Sequence, residues 1–224
     1  MTTFSRHLHA ILGHPCRRMC VTNYGRGRMP KVPAGIWAIA SHLNSLVELE
    51  DFLINADAAD CMCLRSPNLE AREMLSALDA MAANHCVMTH GMADWAQLSA
   101  ASGVICGSRS LSPQTSKQLY PELLVGASVH NNHEVEAAIH ADVDFLMYGP
   151  VWNTPSKQNF ISARGLDSLR EVVERGTKVI AIGGVLTTAQ VQQLKSCGVH
   201  GVAVLRAATD EPLMRELQQA FSAG

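Results

Sequence analysis

The stretch DFLMYGPVWNTPSK, residues 144–157, carries the pattern from which the fold can be predicted. A short apolar run ends at a Gly-Pro pair, and a loop with hydroxyl groups and a lysine follows it. Proline has no N–H to donate to a sheet, so the chain leaves the sheet at Pro150. The pattern therefore predicts a buried strand, after which Thr154, Ser156 and Lys157 lie at the edge of the sheet.

The same pattern recurs along the chain from residue 36 onward. Short apolar runs alternate with segments of helical spacing, and the other runs are IWAIA (36–40), CMCL (61–64), CVMT (86–89), GVIC (103–106), LVGASV (124–129), KVIAI (178–182) and GVAVL (201–205). None of them alternates between apolar and polar residues, which favours strands that are covered on both faces, as in parallel sheets. Eight such strands with intervening helices predict a single α/β domain, a (β/α)8 TIM barrel, over residues 36–224.

Three of the intervening segments have clear helical features. Residues 69–83 place apolar side chains along one face, and the fourth unit is short. The segment 132–141 begins with Asn132 as a candidate cap, and 187–198 begins with Thr187 and stops at Gly198.

Residues 1–35 differ in composition from the rest of the chain. They hold six basic residues and no acidic one, whereas all 20 acidic residues and the other 12 basic ones follow. We expect a flexible basic extension outside the fold, although a transit peptide or a nucleic-acid-binding arm has the same composition. No nucleic-acid recognition motif accompanies it, and the acidic remainder would repel a phosphate backbone, so we expect no nucleic-acid partner.

The overall composition is that of a globular protein. No apolar run approaches the roughly 18–20 residues that a membrane helix needs, so no membrane partner is expected. The seven cysteines are odd in number and scattered, which is typical of unpaired thiols in a reducing compartment. His14, Cys16 and Cys20 match no standard zinc spacing. We therefore expect a cytoplasmic protein.

Polar side chains at the strand ends form the candidate site. Active sites of such barrels lie where strands end and loops begin. The candidates after the second to fifth strands are Arg65, His90, Arg109 and His130. Histidine changes its protonation near neutral pH, and arginine binds anions through a bidentate fork.

The last two strands predict a phosphate site. AIGGV, residues 181–185, is a strand followed by two glycines and a helix start, and GVAVLRAA, residues 201–208, ends the next strand. Glycine lets a ligand approach the backbone, and N–H groups at a helix N-terminus favour an anion. In barrels these two loops are the usual phosphate site. Thr154 and Lys157 would add a hydroxyl and a charge from the neighbouring loop.

Five segments of the chain together resemble the thiamine phosphate synthase / TenI family. They are SVHN (128–131), DFLMYGPVWNTPSK (144–157), RGL (164–166), VIAIGGV (179–185) and GVHGVAVLRA (198–207). The resemblance covers about residues 36–221 and is tightest from 125 to 207. It implies a barrel that binds a small-molecule thiazole phosphate, with the phosphate against Gly183, Gly184 and the loop that contains Leu205 and Arg206. Arg206 stands where the family commonly has a small residue.

The family resemblance implies two alternative chemistries. A synthase joins a pyrimidine diphosphate to the thiazole phosphate with magnesium, and its pattern has Arg-Glu-Lys after the second strand, Asn-Asp after the third and Asp after the fourth. This sequence keeps Arg65, but it has Ser66-Pro67, Thr89-His90 and GSRSL at the other positions. A tautomerase instead moves a proton on a thiazole carboxylate phosphate and needs no metal.

The missing carboxylates favour the tautomerase. We therefore expect an isomerase without a metal or other cofactor, Mg²⁺ being required only if the synthase alternative holds. His130 matches the family's catalytic histidine, and His90 is a second catalytic candidate or a ligand for a carboxylate. Arg65 and Arg109 are candidates for binding an anion. A synthase and a non-catalytic thiazole-phosphate-binding regulator remain as alternatives. The sequence does not fix the number of subunits, and a homodimer is one alternative.

Overall fold

Eight parallel strands close into a barrel in sequence order in the computed structural model. The structure describes residues 30–65, 68–154 and 162–223. The barrel closes where β1 pairs with β8, with Gly35 opposite Gly201 and Ala38 opposite Val204. The predicted (β/α)8 TIM barrel is confirmed.

Strands and helices alternate through the whole barrel. The strands are β1 (Gly35–Ser41), β2 (Cys61–Arg65), β3 (Cys86–His90), β4 (Gly103–Cys106), β5 (Leu124–Val129), β6 (Phe145–Tyr148), β7 (Val179–Ile182) and β8 (Gly201–Val204). The helices are α1 (Leu46–Asn55), α2 (Ala71–Ala82), α3 (Ala93–Leu98), α4 (Pro113–Leu119), α5 (Asn132–His140), α6 (Gly165–Val173), α7 (Thr188–Ser196) and α8 (Glu211–Ser222). A short 3-10 helix, Ala207–Thr209, lies between β8 and α8. No helix in these ranges is both long and apolar enough to span a membrane.

The strands are buried on both faces, which explains their uninterrupted apolar runs. Side chains that point into the barrel form one cluster, in which Trp37 and Phe145 pack edge to face with ring centroids 5.1 Å apart. The alternate side chains pack outward against the helices, as Leu64 and Leu146 do. A parallel barrel covered by helices leaves no strand face in water, so no polar alternation is expected.

The ordered barrel begins a few residues before the predicted boundary at residue 36. Val32 is buried, and its carbonyl oxygen lies 3.0 Å from Nε2 of His200. The indole N–H of Trp37 donates to the carbonyl oxygen of Pro33 at 3.1 Å. Residues 32–35 are therefore held at the amino-terminal end of the barrel, whereas residues 1–29 of the predicted extension lie outside the described residues.

Two predicted helix starts can be compared with the structure. Thr187 caps α7 as predicted, and Gln190 completes a reciprocal capping box with it. The predicted cap Asn132 is wrong by one residue, because Asn131 holds that position and accepts from the N–H of Glu134 at 2.9 Å. Asn131 is extended and Asn132 is the first residue in helical geometry, so only the side chain of Asn131 can reach back to the helix amides.

A Thr187→Ala substitution is expected to lower the free energy of unfolding by about 1 kcal/mol, because one α7 amide loses its acceptor. Urea denaturation followed by circular dichroism measures this loss. Thr188→Ala is the matched control, since the neighbouring threonine is not the cap. Equal losses in the two variants would contradict the capping role.

Candidate functional site

A cavity of about 780 Å³ opens at the carboxyl ends of the strands. Its walls come from the loops that follow β2 to β8. All but one of the predicted site residues line it, namely Arg65, His90, Arg109, His130, Thr154, Gly183, Gly184, Leu205 and Arg206. The exception is Lys157, which lies outside the described residues. The rule that barrel sites lie at strand ends thus identified the cavity from sequence.

The order of the strands divides the mouth of the cavity into two sides. In a closed ring of eight strands, β2 stands opposite β6, β3 opposite β7 and β4 opposite β8. Arg65 and Arg109, on either side of β3, therefore lie across the mouth from the glycine pair after β7, and Thr154 after β6 and Arg206 after β8 flank that pair. His130, after β5, lies between the two sides.

The imidazole of His130 is fixed by the neighbouring loop. Its Nδ1 lies 2.5 Å from the carbonyl oxygen of Gly149, just after β6. A carbonyl oxygen only accepts, so Nδ1 carries a proton in this contact and the lone pair of the neutral ring is on Nε2. The backbone N–H of His130 donates to Glu134 Oε2 at 2.7 Å, which ties the strand end to the first turn of α5. The ring thus has a defined tautomer and a second nitrogen for proton exchange with a ligand.

The glycine pair after β7 forms a seat for an anion. Gly183 and Gly184 have φ values of +107° and +77°, which other residues adopt only with strain. Their loop is held on both sides: Trp152 N–H donates to the carbonyl oxygen of Gly183 at 3.1 Å, and the Gln190 amide donates to that of Gly184 at 3.0 Å.

The amides of this seat are available to a ligand. Within the described residues, the N–H groups of Gly183, Gly184 and Val185 donate to no backbone or side-chain acceptor, and all three residues line the cavity. Successive N–H groups at such turns and at a helix N-terminus bind phosphate oxygens. The arrangement fits the phosphate site that the sequence predicted.

Three other predicted residues complete this side of the mouth. Thr154 is buried and lies in the wall of the cavity. Leu205 is half-buried at the end of β8. Arg206 is exposed at the start of the 3-10 helix, where its side chain borders the cavity. Arg206 therefore lies on the rim of the cavity, on the same side as the glycine seat.

The opposite side of the mouth carries Arg65, His90 and Arg109. Arg65 and His90 are neighbours in the register of β2 and β3. The His90 ring packs on Gly107, where an added Cβ would lie 3.1 Å from its Cε1 atom. Ser110 closes a tight turn by accepting from the Gly107 N–H at 2.8 Å, which puts Arg109 at the exposed tip of the turn. These contacts place two cations and an imidazole on one wall.

The thiols near the cavity are not suited to nucleophilic chemistry. Burial raises the pKa of the Cys106 thiol above its usual value, although Ser116 and Ser110 offset part of this effect. Burial also raises the pKa of Cys63 to about 12, despite the nearby positive charge of Arg65. Both thiols therefore stay protonated near neutral pH, and only a thiolate attacks or binds metal well.

The carboxylates of the chain do not fit the magnesium ion that the family resemblance implies. Every Asp and Glu lies within the described residues, and Glu134 is the one carboxylate among them that lines the cavity. Both of its oxygens are engaged, Oε2 by the His130 N–H and Oε1 by the Asn131 amide at 2.8 Å. In the part of the chain that the structure describes, no three potential ligand side chains are close enough to share a metal ion. Magnesium prefers carboxylate oxygens, and the mouth offers it a single carboxylate, which hydrogen bonds hold at the start of α5.

A neighbouring cavity of about 650 Å³ does not change this result. It lies beside the mouth, above β1 and α1, and Glu48 and Asp51 are in its wall. Glu48 Oε2 accepts from the N–H of Asn44 at 2.7 Å and so belongs to the cap of α1.

Sequence reasoning missed the groups that hold the site residues in place. They are the Gly149 carbonyl oxygen, Asn131, Glu134, Gln190 and Ser110. The spacing of Asn131 and Glu134 is that of a capping box, so this pair could have been recognised. The contact between His130 and Gly149 joins two strand ends that are 19 residues apart, and no local pattern predicts it.

Comparisons with known proteins agree with the resemblance found in the sequence. Residues 38–208 match the family described as thiamine monophosphate synthase. A thiamine-phosphate synthase from Koribacter versatilis is 32% identical over 179 residues, which cover 76% of this chain and 84% of that protein. One from Mycolicibacterium gilvum is 34% identical over 148 residues, 63% of this chain and 62% of that protein, so the match spans less than two thirds of that relative.

A solved structure agrees in fold. Thiamine phosphate pyrophosphorylase from Pyrococcus furiosus superposes with a TM-score of 0.73 at 24% identity, covering 84% of this chain and 96% of that one. This structural similarity supports the assignment of the barrel fold.

The prediction of an isomerase, with a transferase less favoured, is contradicted by the relatives. They are named thiamine-phosphate synthase, which is a transferase. The prediction rested on the missing carboxylates after β3 and β4, which are the magnesium ligands of the synthase pattern.

Proposed function

Because the chain belongs to the thiamine monophosphate synthase family, we propose that it is a transferase that joins a pyrimidine diphosphate to a thiazole phosphate and so forms thiamine phosphate. The names of the relatives support this proposal. The observation in the structure that supports it best is the pair of binding regions on opposite sides of one mouth. A coupling reaction needs such an arrangement, since two anionic substrates must lie together with their reacting groups in between.

The thiazole phosphate is proposed to bind at the glycine seat. Its phosphate oxygens would accept from the amides of Gly183, Gly184 and Val185, and the hydroxyl of Thr154 lies in the same wall. Arg206 on the rim adds a positive charge. Backbone amides at a helix N-terminus bind a phosphate without the entropy cost of ordering long side chains.

His130 is proposed to act at the centre of the mouth. When the bond between the pyrimidine unit and its diphosphate breaks and the bond to the thiazole forms, the leaving diphosphate gains negative charge. A proton on Nε2 of His130 would neutralise part of that charge, while Nδ1 keeps its hydrogen bond to Gly149. His90, on the cationic wall, is proposed to bind the same leaving group.

The test is to incubate the purified chain with both substrates, with and without magnesium, and to detect thiamine phosphate by chromatography and mass spectrometry. We expect product to form with the native chain and not with a heat-denatured sample. No product under any metal condition would overturn the transferase proposal.

A non-catalytic thiazole-phosphate-binding protein is the second candidate, and one observation favours it. Glu134 is the single carboxylate in the cavity wall, and the positions after β3 and β4 that carry the family's metal ligands hold no carboxylate. Calorimetry with thiazole phosphate distinguishes the two candidates. Binding without product formation in the coupling assay would favour this second candidate.

A further inference from the structure

The mouth of the barrel carries an excess of positive charge. Arg65, Arg109 and Arg206 line it together with one carboxylate, Glu134. In the described part of the chain none of these guanidinium groups forms a salt bridge, whereas other surface arginines do, as Arg175 does with Glu136. Residues 36–224 as a whole hold 20 acidic and 12 basic residues, so this excess at the mouth is not shared by the barrel as a whole. Unpaired cations around a cavity attract an anionic ligand.

Two of these arginines stand apart from the glycine seat. Arg65 ends β2, is half-buried, and lies beside His90 in the register. Arg109 is at the tip of the turn that Ser110 closes after β4. With β2 and β4 opposite β6 and β8, the two arginines face the seat across the mouth. An anion held by them and a phosphate in the seat would be separate ligand groups.

We infer that Arg109, which stands after β4 where the synthase pattern has a carboxylate, takes the place of a divalent ion in this chain, and that it binds a diphosphate directly together with Arg65. This inference rests on the proposed transferase function, and it specifies how the diphosphate substrate is held. Each guanidinium group offers two parallel N–H donors that match a pair of phosphate oxygens. Its positive charge is permanent, so no metal is needed to neutralise the diphosphate.

Binding of the diphosphate by arginines is consistent with the shortage of carboxylate ligands for magnesium in the cavity wall. A magnesium site would need free carboxylates, and the Glu134 oxygens are engaged elsewhere. Additional carboxylates beside Arg65 and Arg109 would pair with them and remove the charge that attracts the ligand. After β4, an arginine and a metal-binding carboxylate are therefore alternative ways to neutralise a diphosphate bound beside Arg65.

Titration of the full chain with inorganic pyrophosphate by calorimetry tests this inference. We expect dissociation constants in excess EDTA and in excess magnesium to agree within about threefold, and the Arg65→Gln/Arg109→Gln variant to bind at least about tenfold more weakly in EDTA. Arg175→Gln is the control, because it removes one exposed positive charge at the far end of α6.

A failure of this inference can be distinguished from a failure of the proposed transferase function. Binding that disappears in EDTA, no binding under either condition, or unchanged affinity in the double variant would each overturn the inference. The single variant Arg109→Gln is measured as well, in case the double variant does not fold. It is expected to fold normally, because Arg109 is exposed and its turn is closed by Ser110. Binding of thiazole phosphate at the glycine seat, measured separately, tests the proposed function and does not depend on these arginines.

Discussion

Replacing Gly183 by alanine is expected to weaken thiazole phosphate binding by about a hundredfold, the equivalent of two charge-assisted hydrogen bonds. A Cβ at this position would lie 2.5 Å from Cβ and 2.6 Å from Cα of Pro150, so backbone has to move. The φ of +107° adds strain of about 1–2 kcal/mol for any residue with a Cβ. The loop after β7 must then shift away from the loop after β6, and its amides lose their common direction. Calorimetry with thiazole phosphate measures the loss.

Gly176→Ala is the matched control for this variant. Gly176 also has a positive φ, +87°, but an added Cβ there has no heavy atom within 4 Å. It therefore has similar backbone strain without the collision, and it lies between α6 and β7, at the end of the barrel away from the mouth. Wild-type affinity in Gly176→Ala with a large loss in Gly183→Ala would assign the effect to the seat. Equal losses in both would point to general destabilisation instead.

The fold was predictable because its physical causes act locally along the chain. A strand covered on both faces needs a run of apolar residues, and β2 (Cys61–Arg65) and β7 (Val179–Ile182) have such runs. Pro150 and Gly183 mark where two strands end, and strand ends of a parallel barrel meet at one rim. Local sequence therefore identifies at least one residue of the cavity wall after each strand from β2 to β8.

The parts that were not predictable depend on contacts between distant segments. The orientation of the His130 ring is set by Gly149, and the position of Arg109 is set by a turn that Ser110 closes. Glycine and serine are common in loops of every kind, so their presence in a sequence does not indicate these contacts. The assignment of Asn132 as a cap failed for a simpler reason, since Asn131 and Asn132 are adjacent and only backbone geometry distinguishes them.

The error in reaction class has a different origin. The sequence lacks carboxylates after β3 and β4, and this absence was interpreted as the loss of a function. The structure shows Arg65 and Arg109 in the wall of the same mouth without a salt bridge in the described residues. Cationic side chains can neutralise the negative charge of a diphosphate, as a metal ion does. A missing set of carboxylates therefore bears on how the diphosphate is held, and it does not exclude the reaction.

His130→Ala is expected to lower kcat of the coupling reaction by about a hundredfold, with KM changed little, because proton donation at Nε2 acts on the leaving diphosphate as the bond breaks. The alanine variant also loses the hydrogen bond to Gly149, which on its own should cost about 1 kcal/mol of stability. Steady-state kinetics and urea denaturation of the same preparations measure the two effects.

His130→Asn separates the two roles of this side chain. An asparagine amide nitrogen can occupy the position of Nδ1 and still donate to the carbonyl oxygen of Gly149, but it has no atom in place of Nε2. We expect this variant to regain stability and to remain as slow as His130→Ala. If it regained activity as well, His130 would serve only to join the ends of β5 and β6. The proton would then have to come from another group, and His90 on the opposite wall is the next candidate.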